Sequence, residues 1–165
     1  MTQTGQVMDN TQAQLFLLLT VIFNVKHYLA DYQFQTDYML KKHLPNWEFA
    51  KPLAAHCAVH AALSALIALG YMYLFVPYFR WFDIPWVVAK VVIFDFACHF
   101  MMDRAKASPH GLGQFKALSG REIPEATPKS LRGNKIFWRV FGADQGVHHV
   151  THALITYYLV TWRMT

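Results

Sequence analysis

The sequence has few charged residues and few cysteines. Asp, Glu, Lys and Arg together make up 15% of its 165 residues, whereas hydrophobic residues make up 55%. The two cysteines, Cys57 and Cys98, both lie inside apolar runs, where cysteine usually acts as a packing residue, so no disulfide is expected. The first eleven residues contain no Lys or Arg, so the basic segment of a cleavable signal peptide is missing. No internal repeat or low-complexity tract is present, and a single domain is expected.

Four apolar runs approach the length needed to cross a bilayer, about 20 residues. A soluble domain of this size rarely contains four such runs, so the sequence predicts an all-α integral membrane protein. We expect a four-helix bundle with up-down topology that forms one transmembrane domain over residues 1–165. The predicted spans are residues 13–30, 52–76, 84–102 and 145–162, joined on one side by loops 31–51 and 103–144. Within the second loop, residues 135–141 combine aromatic and cationic side chains, as an interfacial segment does.

The distribution of positive charge predicts the orientation. The net charge is +5 and the pI is about 9.3, and eleven of the 15 Lys and Arg residues fall in loops 31–51 and 103–144. Because cytoplasmic loops are enriched in Lys and Arg, we expect both loops in the cytoplasm and both termini on the opposite side. Topology accounts for most of the basic balance, so no nucleic-acid partner is expected.

Polar residues recur at helical spacing at the predicted cytoplasmic end of every span. The third span carries Asp95, His99 and Asp103 at intervals of four residues, which places them on one helix face. The other spans carry His27, Asp31 and Gln35; His56 and His60; and Asp144, His148 and His152. In an up-down bundle these four groups would meet at a similar depth. Ionisable groups inside an apolar span are costly and usually mark a functional site.

Imidazole and carboxylate groups in this arrangement predict a metal site, because both are ligands of zinc, manganese and iron. The predicted cofactor is a divalent transition metal, with zinc favoured, manganese or iron as alternatives, and room for two ions. The predicted ligands are His27, Asp31, His56, His60, His99, Asp103, Asp144 and His148. Deeper or adjacent groups, namely Asp95, His152 and Gln35, are the candidate catalytic residues. At the rim, Arg104 and Lys106 are expected to hold an anionic substrate such as a phosphoester or lipid headgroup.

Several other interpretations remain open. The polar groups can form a buried hydrogen-bond network that holds the helices together. Asp and His chains also occur in proton and ion paths, as in a channel or transporter. A membrane di-iron oxidase or hydroxylase is the third alternative, although such sites contain more His than Asp. A non-enzymatic membrane interaction protein and a homo-oligomer are compatible with the same four spans.

The order and spacing of these motifs resemble a small integral-membrane family of bacteria and phages, catalogued as domain of unknown function 3307. The shared pattern begins with His27-Tyr-Leu-Ala-Asp31-Tyr-Gln-Phe-Gln35, followed by Lys41 or Lys42. It continues through His56-x-x-x-His60 and His99-x-x-x-Asp103-x-x-Lys106 to Asp144-Gln145-x-x-His148. The resemblance covers nearly the whole chain except the N-terminal tail and the long basic loop. It implies a polytopic protein of the bacterial inner membrane. The pattern is also similar in kind to membrane-bound metal-dependent hydrolases, which implies hydrolysis as the reaction class.

Overall fold

The computed structural model describes residues 9–76, 82–112 and 135–162, and these ranges contain helices and no strands. The predicted all-α class is therefore confirmed. The α-helices are α1 (Asn10–Tyr28), α2 (Asp37–Leu40), α3 (Ala50–Phe75), α4 (Ile84–Ala107) and α5 (Lys135–Thr161). A π-helical turn, Leu29–Gln33, continues α1, and a 3-10 turn, Lys41–His43, follows α2.

Helix α1 has a defined beginning and an irregular end. The Asp9 side chain accepts a hydrogen bond from the Gln12 backbone N–H, and the Gln12 side chain accepts one from the Asp9 backbone N–H. This reciprocal capping box satisfies two of the free N–H groups at the helix start. At the other end the Phe34 N–H donates to the Leu29 carbonyl at 2.9 Å, the five-residue step of a π-turn. Such turns often occur at functional sites.

Two helices extend further than the sequence predicted. Helix α4 continues to Ala107 instead of ending near residue 102, so its last turn includes Asp103 and Lys106. Ion pairs of these two side chains with Lys42 and Asp144 hold that turn, and Pro109 follows shortly after its end. Helix α5 is already formed at Lys135, so the segment predicted to be interfacial belongs to the same helix as the predicted fourth span. Most of the predicted loop between them, residues 113–134, lies outside the described residues.

Three helical segments are long and apolar enough to cross a membrane: residues 10–33, α3 and α4. Helix α5 falls outside this group because Asp144, His148 and His152 lower its mean hydropathy. These polar side chains are buried, however, while Val150 and Leu154 on the same helix are exposed. Helix α5 therefore turns its polar face inward and its apolar face outward.

The long helices pack around a shared interior, in which α3 contacts α4, α4 contacts α5, and α1 contacts both α5 and α3. One end of this interior is apolar. It is filled by buried side chains from all four helices, namely Leu19, Phe23, Ala68, Tyr71, Met72, Val76, Val87, Val91, Ile155, Leu159 and Val160. We call this group the apolar plug. Both cysteines are free thiols, in agreement with the expected absence of a disulfide.

Candidate metal centre

The other end of the interior is polar, and side chains of the four long helical segments form it at three successive levels. The outer level contains Asp31, His56, Asp103 and Asp144. The middle level contains His27, His60, His99 and His148. The inner level, next to the apolar plug, contains Lys26, Ser64, Asp95 and His152. All are buried except Asp31, which is partly exposed. Each segment contributes to every level. In α3, α4 and α5 the three polar residues follow one another at intervals of four, whereas in the first segment Lys26 and His27 are adjacent.

The middle level is a closed ring of four imidazoles. The ring centroids of His60 and His99 are 3.9 Å apart, and those of His99 and His148 are 4.2 Å apart. The His27 ring completes the circle at 4.8 Å from His148 and 5.4 Å from His60. Four imidazoles in mutual contact cannot all be protonated without strong repulsion, so this level is composed mainly of neutral donors for a cation.

The outer level contains three of the four carboxylates, and Asp103 lies between two imidazoles. His56 Nε2 is 3.0 Å from Asp103 Oδ2, and His148 Nε2 is 3.6 Å from Asp103 Oδ1. The same His148 nitrogen is 3.3 Å from Asp144 Oδ1. The two oxygens of Asp103 thus face different imidazoles, Oδ2 toward His56 and Oδ1 toward His148.

Asp31 lies in the π-turn and faces three imidazoles. His60 Nε2 is hydrogen-bonded to Asp31 Oδ1 at 3.0 Å, and His56 Nε2 is 3.4 Å from the same oxygen. The other oxygen, Oδ2, is 3.3 Å from His27 Nε2, four residues earlier in the chain. The π-turn therefore directs one carboxylate toward nitrogen donors of both α1 and α3.

The inner level is held by a buried ion pair. The Lys26 ammonium donates to Asp95 Oδ2 at 2.8 Å and is 3.3 Å from His152 Nε2. Ser64 Oγ donates to the same Asp95 oxygen at 2.9 Å. His99 Nδ1 lies 2.9 Å from the Asp95 backbone carbonyl, which can only accept, so this nitrogen carries the proton and His99 Nε2 keeps its lone pair. Asp95, predicted as a deep ligand or proton acceptor, is thus neutralised by a lysine of the chain itself.

The two predicted substrate-binding residues contact other parts of the protein. Lys106 forms an ion pair with Asp144 at 2.6 Å. Arg104 donates to the backbone carbonyls of Lys42 and Leu44 at 3.3 and 3.1 Å, and its guanidinium lies 3.5 Å from the centre of the Phe49 ring. Arg104 therefore links α4 to the segment that precedes α3. Its Nη1 donors bond to backbone carbonyls of that segment and not to carboxylates of the polar interior.

Gln35, the third candidate catalytic residue, lies beyond the π-turn. It is partly exposed, and it makes no hydrogen bond with the outer level among the residues that the structure describes.

Many buried nitrogen atoms of this centre lack hydrogen-bond partners within the described ranges. They include both ring nitrogens of His27 and of His56, together with His60 Nδ1, His99 Nε2, His148 Nδ1 and His152 Nδ1. His56 Nε2 is close to Asp103 but is not oriented for a hydrogen bond. Buried polar atoms are normally satisfied, so a concentration of imidazole nitrogens without hydrogen-bond partners fits a site built for a metal ion.

The donor atoms fall into four groups, three of which share His60 or His99, and in each group one atom per residue lies within 4.8 Å of the others. The groups are His27, His60 and His99; Asp31, His56 and His60; Asp95, His99 and His152; and Asp103, Asp144 and His148. All eight predicted ligands belong to at least one group, as do Asp95 and His152. These clusters could hold a metal ion.

Sequence reasoning did not assign three polar residues of the centre to the site: Lys26, Lys42 and Ser64. Lys26 and Asp95 are both charged residues inside apolar spans, and such residues usually pair, so this signal was present in the sequence. Ser64 continues the His56 and His60 spacing by one further step of four. Lys42, which forms an ion pair with Asp103 at 2.8 Å, lies in an irregular segment whose path the sequence did not indicate.

Neither a curated protein nor a solved structure matches the chain. A family profile does match, from within α1 through the end of α5, so the expected family resemblance is confirmed. Residues 17–165 match the family described as "Protein of unknown function (DUF3307)", and the chain therefore belongs to that family.

Proposed function

We propose that this protein is a membrane-embedded, metal-dependent hydrolase acting on an anionic substrate of the phosphoester type. The observation that carries the proposal is the convergence of four carboxylates with eight unpaired imidazole nitrogens in one buried centre. A hydrogen-bond network that only held the helices together would leave few of these nitrogens without partners.

The distribution of side chains supports a membrane location with α5 as the fourth span. Large apolar side chains are exposed on each long helix, for example Leu17, Leu66, Ile93 and Leu154, whereas the polar residues lie inside. Water would disfavour such an inside-out arrangement, and lipid tails would favour it. We propose an up-down bundle with the metal centre open to the cytoplasm and both termini on the other side, following the charge of the loops.

Two groups of donors suit two ions. Asp31, His56 and His60 offer nitrogen and carboxylate ligands of the kind found in zinc sites, and Asp144 and His148 offer a second set. Asp103 faces both sets. Zinc is favoured by this mixture of imidazole and carboxylate, with manganese and iron as alternatives. When bound, the metal would supply a hydroxide nucleophile near neutral pH.

The chain's own residues would orient the ligands and accept a proton. The hydrogen bond of His99 Nδ1 to the Asp95 carbonyl directs His99 Nε2 into the centre. His152 is the proposed proton acceptor at the inner level. Its Nε2 atom lies 3.3 Å from the Lys26 ammonium, which can only donate, and 3.6 Å from Asp95 Oδ1.

A membrane di-iron oxidase is the second candidate, favoured by the ring of four imidazoles. Iron as the native metal and an oxygen-dependent product would distinguish it from the hydrolase. A channel is less well supported because the apolar plug separates the polar centre from the other end of the helices.

The experiment compares neighbouring histidines on α5. Detergent-purified wild type, His148→Ala and His149→Ala are analysed for bound metal and for hydrolysis of p-nitrophenyl phosphate with and without a chelator. His149 is the matched control because it is exposed and bonds to Asn24 on the surface. We expect metal and chelator-sensitive hydrolysis in wild type and His149→Ala, and loss of both in His148→Ala. A metal-free wild type that still hydrolyses the ester would overturn the proposal.

A further inference from the structure

Three of the four carboxylates at the centre have a lysine of their own. Asp95 pairs with Lys26, Asp103 with Lys42 and Asp144 with Lys106, at 2.8, 2.8 and 2.6 Å. These lysines come from three different segments of the chain, and Lys42 and Lys106 approach from the outer end. Each carboxylate of this set is already neutralised by a tethered cation.

Asp31 differs from the other three carboxylates. No lysine within the described ranges forms an ion pair with it, and its near neighbours are the imidazoles of His27, His56 and His60. His56 and His60 are more than nine-tenths buried, as is His27, and all three retain unpaired ring nitrogens. Asp31 is therefore the one described carboxylate of the centre that contacts imidazoles and is not paired with a lysine.

Building on the proposed metal dependence, we propose that the two ion sites are unequal. Asp31, His56, His60 and His27 form the primary site, which a metal occupies first. Asp103, Asp144 and His148 form a second site that Lys42 and Lys106 guard. A metal enters the second site only by displacing the two ammonium groups from their carboxylates. We call Lys42 and Lys106 the guard lysines.

The physical basis is that the two sites differ in the lysine ion pairs that must be broken when a metal binds. At the primary site, the metal gains one carboxylate and unpaired nitrogens without breaking an ion pair with a lysine. At the second site, two short charge-assisted hydrogen bonds in a largely buried setting must first be broken. The free energy of metal binding at the second site is less favourable by the cost of breaking these two hydrogen bonds, so the metal affinity is lower there.

The displaced ammonium groups of Lys42 and Lys106 would then be free to bind an anionic substrate. With neutral imidazoles, four carboxylates and three lysines give the centre one net negative charge. One divalent ion makes it positive by one charge, and a second ion makes it positive by three. The doubly loaded centre, with two free ammonium groups at its outer end, would attract a phosphoester dianion. The guard lysines are thus the proposed substrate-binding groups, with Lys42 in the place that the sequence assigned to Arg104.

The test is a titration of the detergent-purified, metal-stripped protein with Co(II), followed by visible absorption and by equilibrium dialysis with elemental analysis. We expect two steps in the wild type. Lys42→Met and Lys106→Met should strengthen the second step by about tenfold or more, because a charge-assisted hydrogen bond no longer has to be broken. Asp31→Asn should remove the first step. Lys41→Met is the matched control, since Lys41 adjoins Lys42 and is exposed, and it should leave both steps unchanged.

The outcomes separate this inference from the proposed function. Metal binding in two steps that the guard-lysine variants weaken or leave unchanged would overturn the inference and leave the proposed function intact. A high-affinity step that survives Asp31→Asn would do the same. If the wild type binds no metal at all, the proposed function fails as well. Size-exclusion profiles identify any misfolded variant, and His56→Gln then replaces Asp31→Asn as the test of the primary site.

Discussion

The Lys26–Asp95 ion pair is the most enclosed charged contact of the centre. Both side chains are almost inaccessible, and Ser64 adds a hydrogen bond to the same carboxylate oxygen. A buried pair contributes little net stability relative to apolar side chains, but removing one partner leaves an uncompensated buried charge. The pair should therefore show strong coupling between its two members.

We predict that Lys26→Met and Asp95→Asn each lower the free energy of unfolding by about 3–5 kcal/mol. The double variant should lower it by much less than the sum of the two single effects. Reversible unfolding in detergent micelles measures the three values. Lys90→Met is the control, because Lys90 is exposed and its ammonium lies 5.7 Å from the Tyr158 ring centre. Additive losses would show that Lys26 and Asp95 do not depend on each other.

Single residues also show how far sequence reasoning reaches. The spacing of four between Asp95, His99 and Asp103 was enough to place them on one face, because helix geometry is local. The partners of Asp95 and Asp103 were not predictable in the same way. Lys26 is 69 residues from Asp95, and Lys42 is 61 residues from Asp103 in an irregular segment. Such pairs depend on packing between segments, which periodicity does not contain.

At the scale of elements, the π-turn after α1 determines where Asp31 points. One additional residue per turn changes the direction of every side chain that follows by about 100° relative to a regular α-helix. The sequence offered no signal for this turn, because the His27 to Asp31 spacing is compatible with a regular helix.

Deleting Leu29 removes one residue from the π-turn, so that a regular α-helix can lead to Asp31. We predict that this deletion lowers the affinity of the first Co(II) step by about 10–100-fold. The deletion turns Asp31 away from His56 and His60, whereas Leu29→Ala keeps the turn and should bind as the wild type does. Circular dichroism verifies that both variants are folded. A folded deletion variant with unchanged affinity would mean that the π-turn does not position this ligand.

Helix α5 shows where hydropathy averages fail. The sequence predicted a fourth span over residues 145–162, but the whole helix is too polar on average to stand out by composition. Its buried face carries Asp144, His148 and His152, and its exposed face carries Val147 and Leu154. An average over the helix mixes two environments, so only the pattern of burial reveals an apolar outer surface.

At the scale of the whole molecule, the outer surface of the long helices is rich in apolar side chains. The interior is polar at one end and apolar at the other. Exposed aromatic side chains lie toward both ends, with Trp47 near the metal centre and Phe82 and Trp86 near the apolar plug. Aromatic residues at both ends are typical of helices anchored at two membrane interfaces. The candidate metal centre would then open to one aqueous side, and the plug would close the other.

This arrangement predicts which surfaces are accessible from each side of the membrane. We introduce single cysteines at four exposed positions, Asn10, Lys41, Phe82 and Pro109, and treat spheroplasts with a membrane-impermeant maleimide. Asn10→Cys and Phe82→Cys should react in intact spheroplasts. Lys41→Cys and Pro109→Cys should react only after lysis, because the positive loops are expected in the cytoplasm. The wild type controls for its native cysteines, of which Cys57 is buried and Cys98 partly so.

The pattern of labelling distinguishes three arrangements. Reversal of all four results would keep the bundle but place the metal centre on the outer side, where cytoplasmic phosphoesters cannot reach it. Reaction of Asn10→Cys and Lys41→Cys from the same side would mean that α1 does not cross the bilayer, although its length and composition permit it. If the labelling alternates between the two sides as expected, Asp31, His56, Asp103 and Asp144 lie near the cytoplasmic face. Residue 41 lies between Asp31 and His56 in the chain, and residue 109 lies between Asp103 and Asp144. The same four cysteines therefore test both the up-down topology and the side from which metal and substrate arrive.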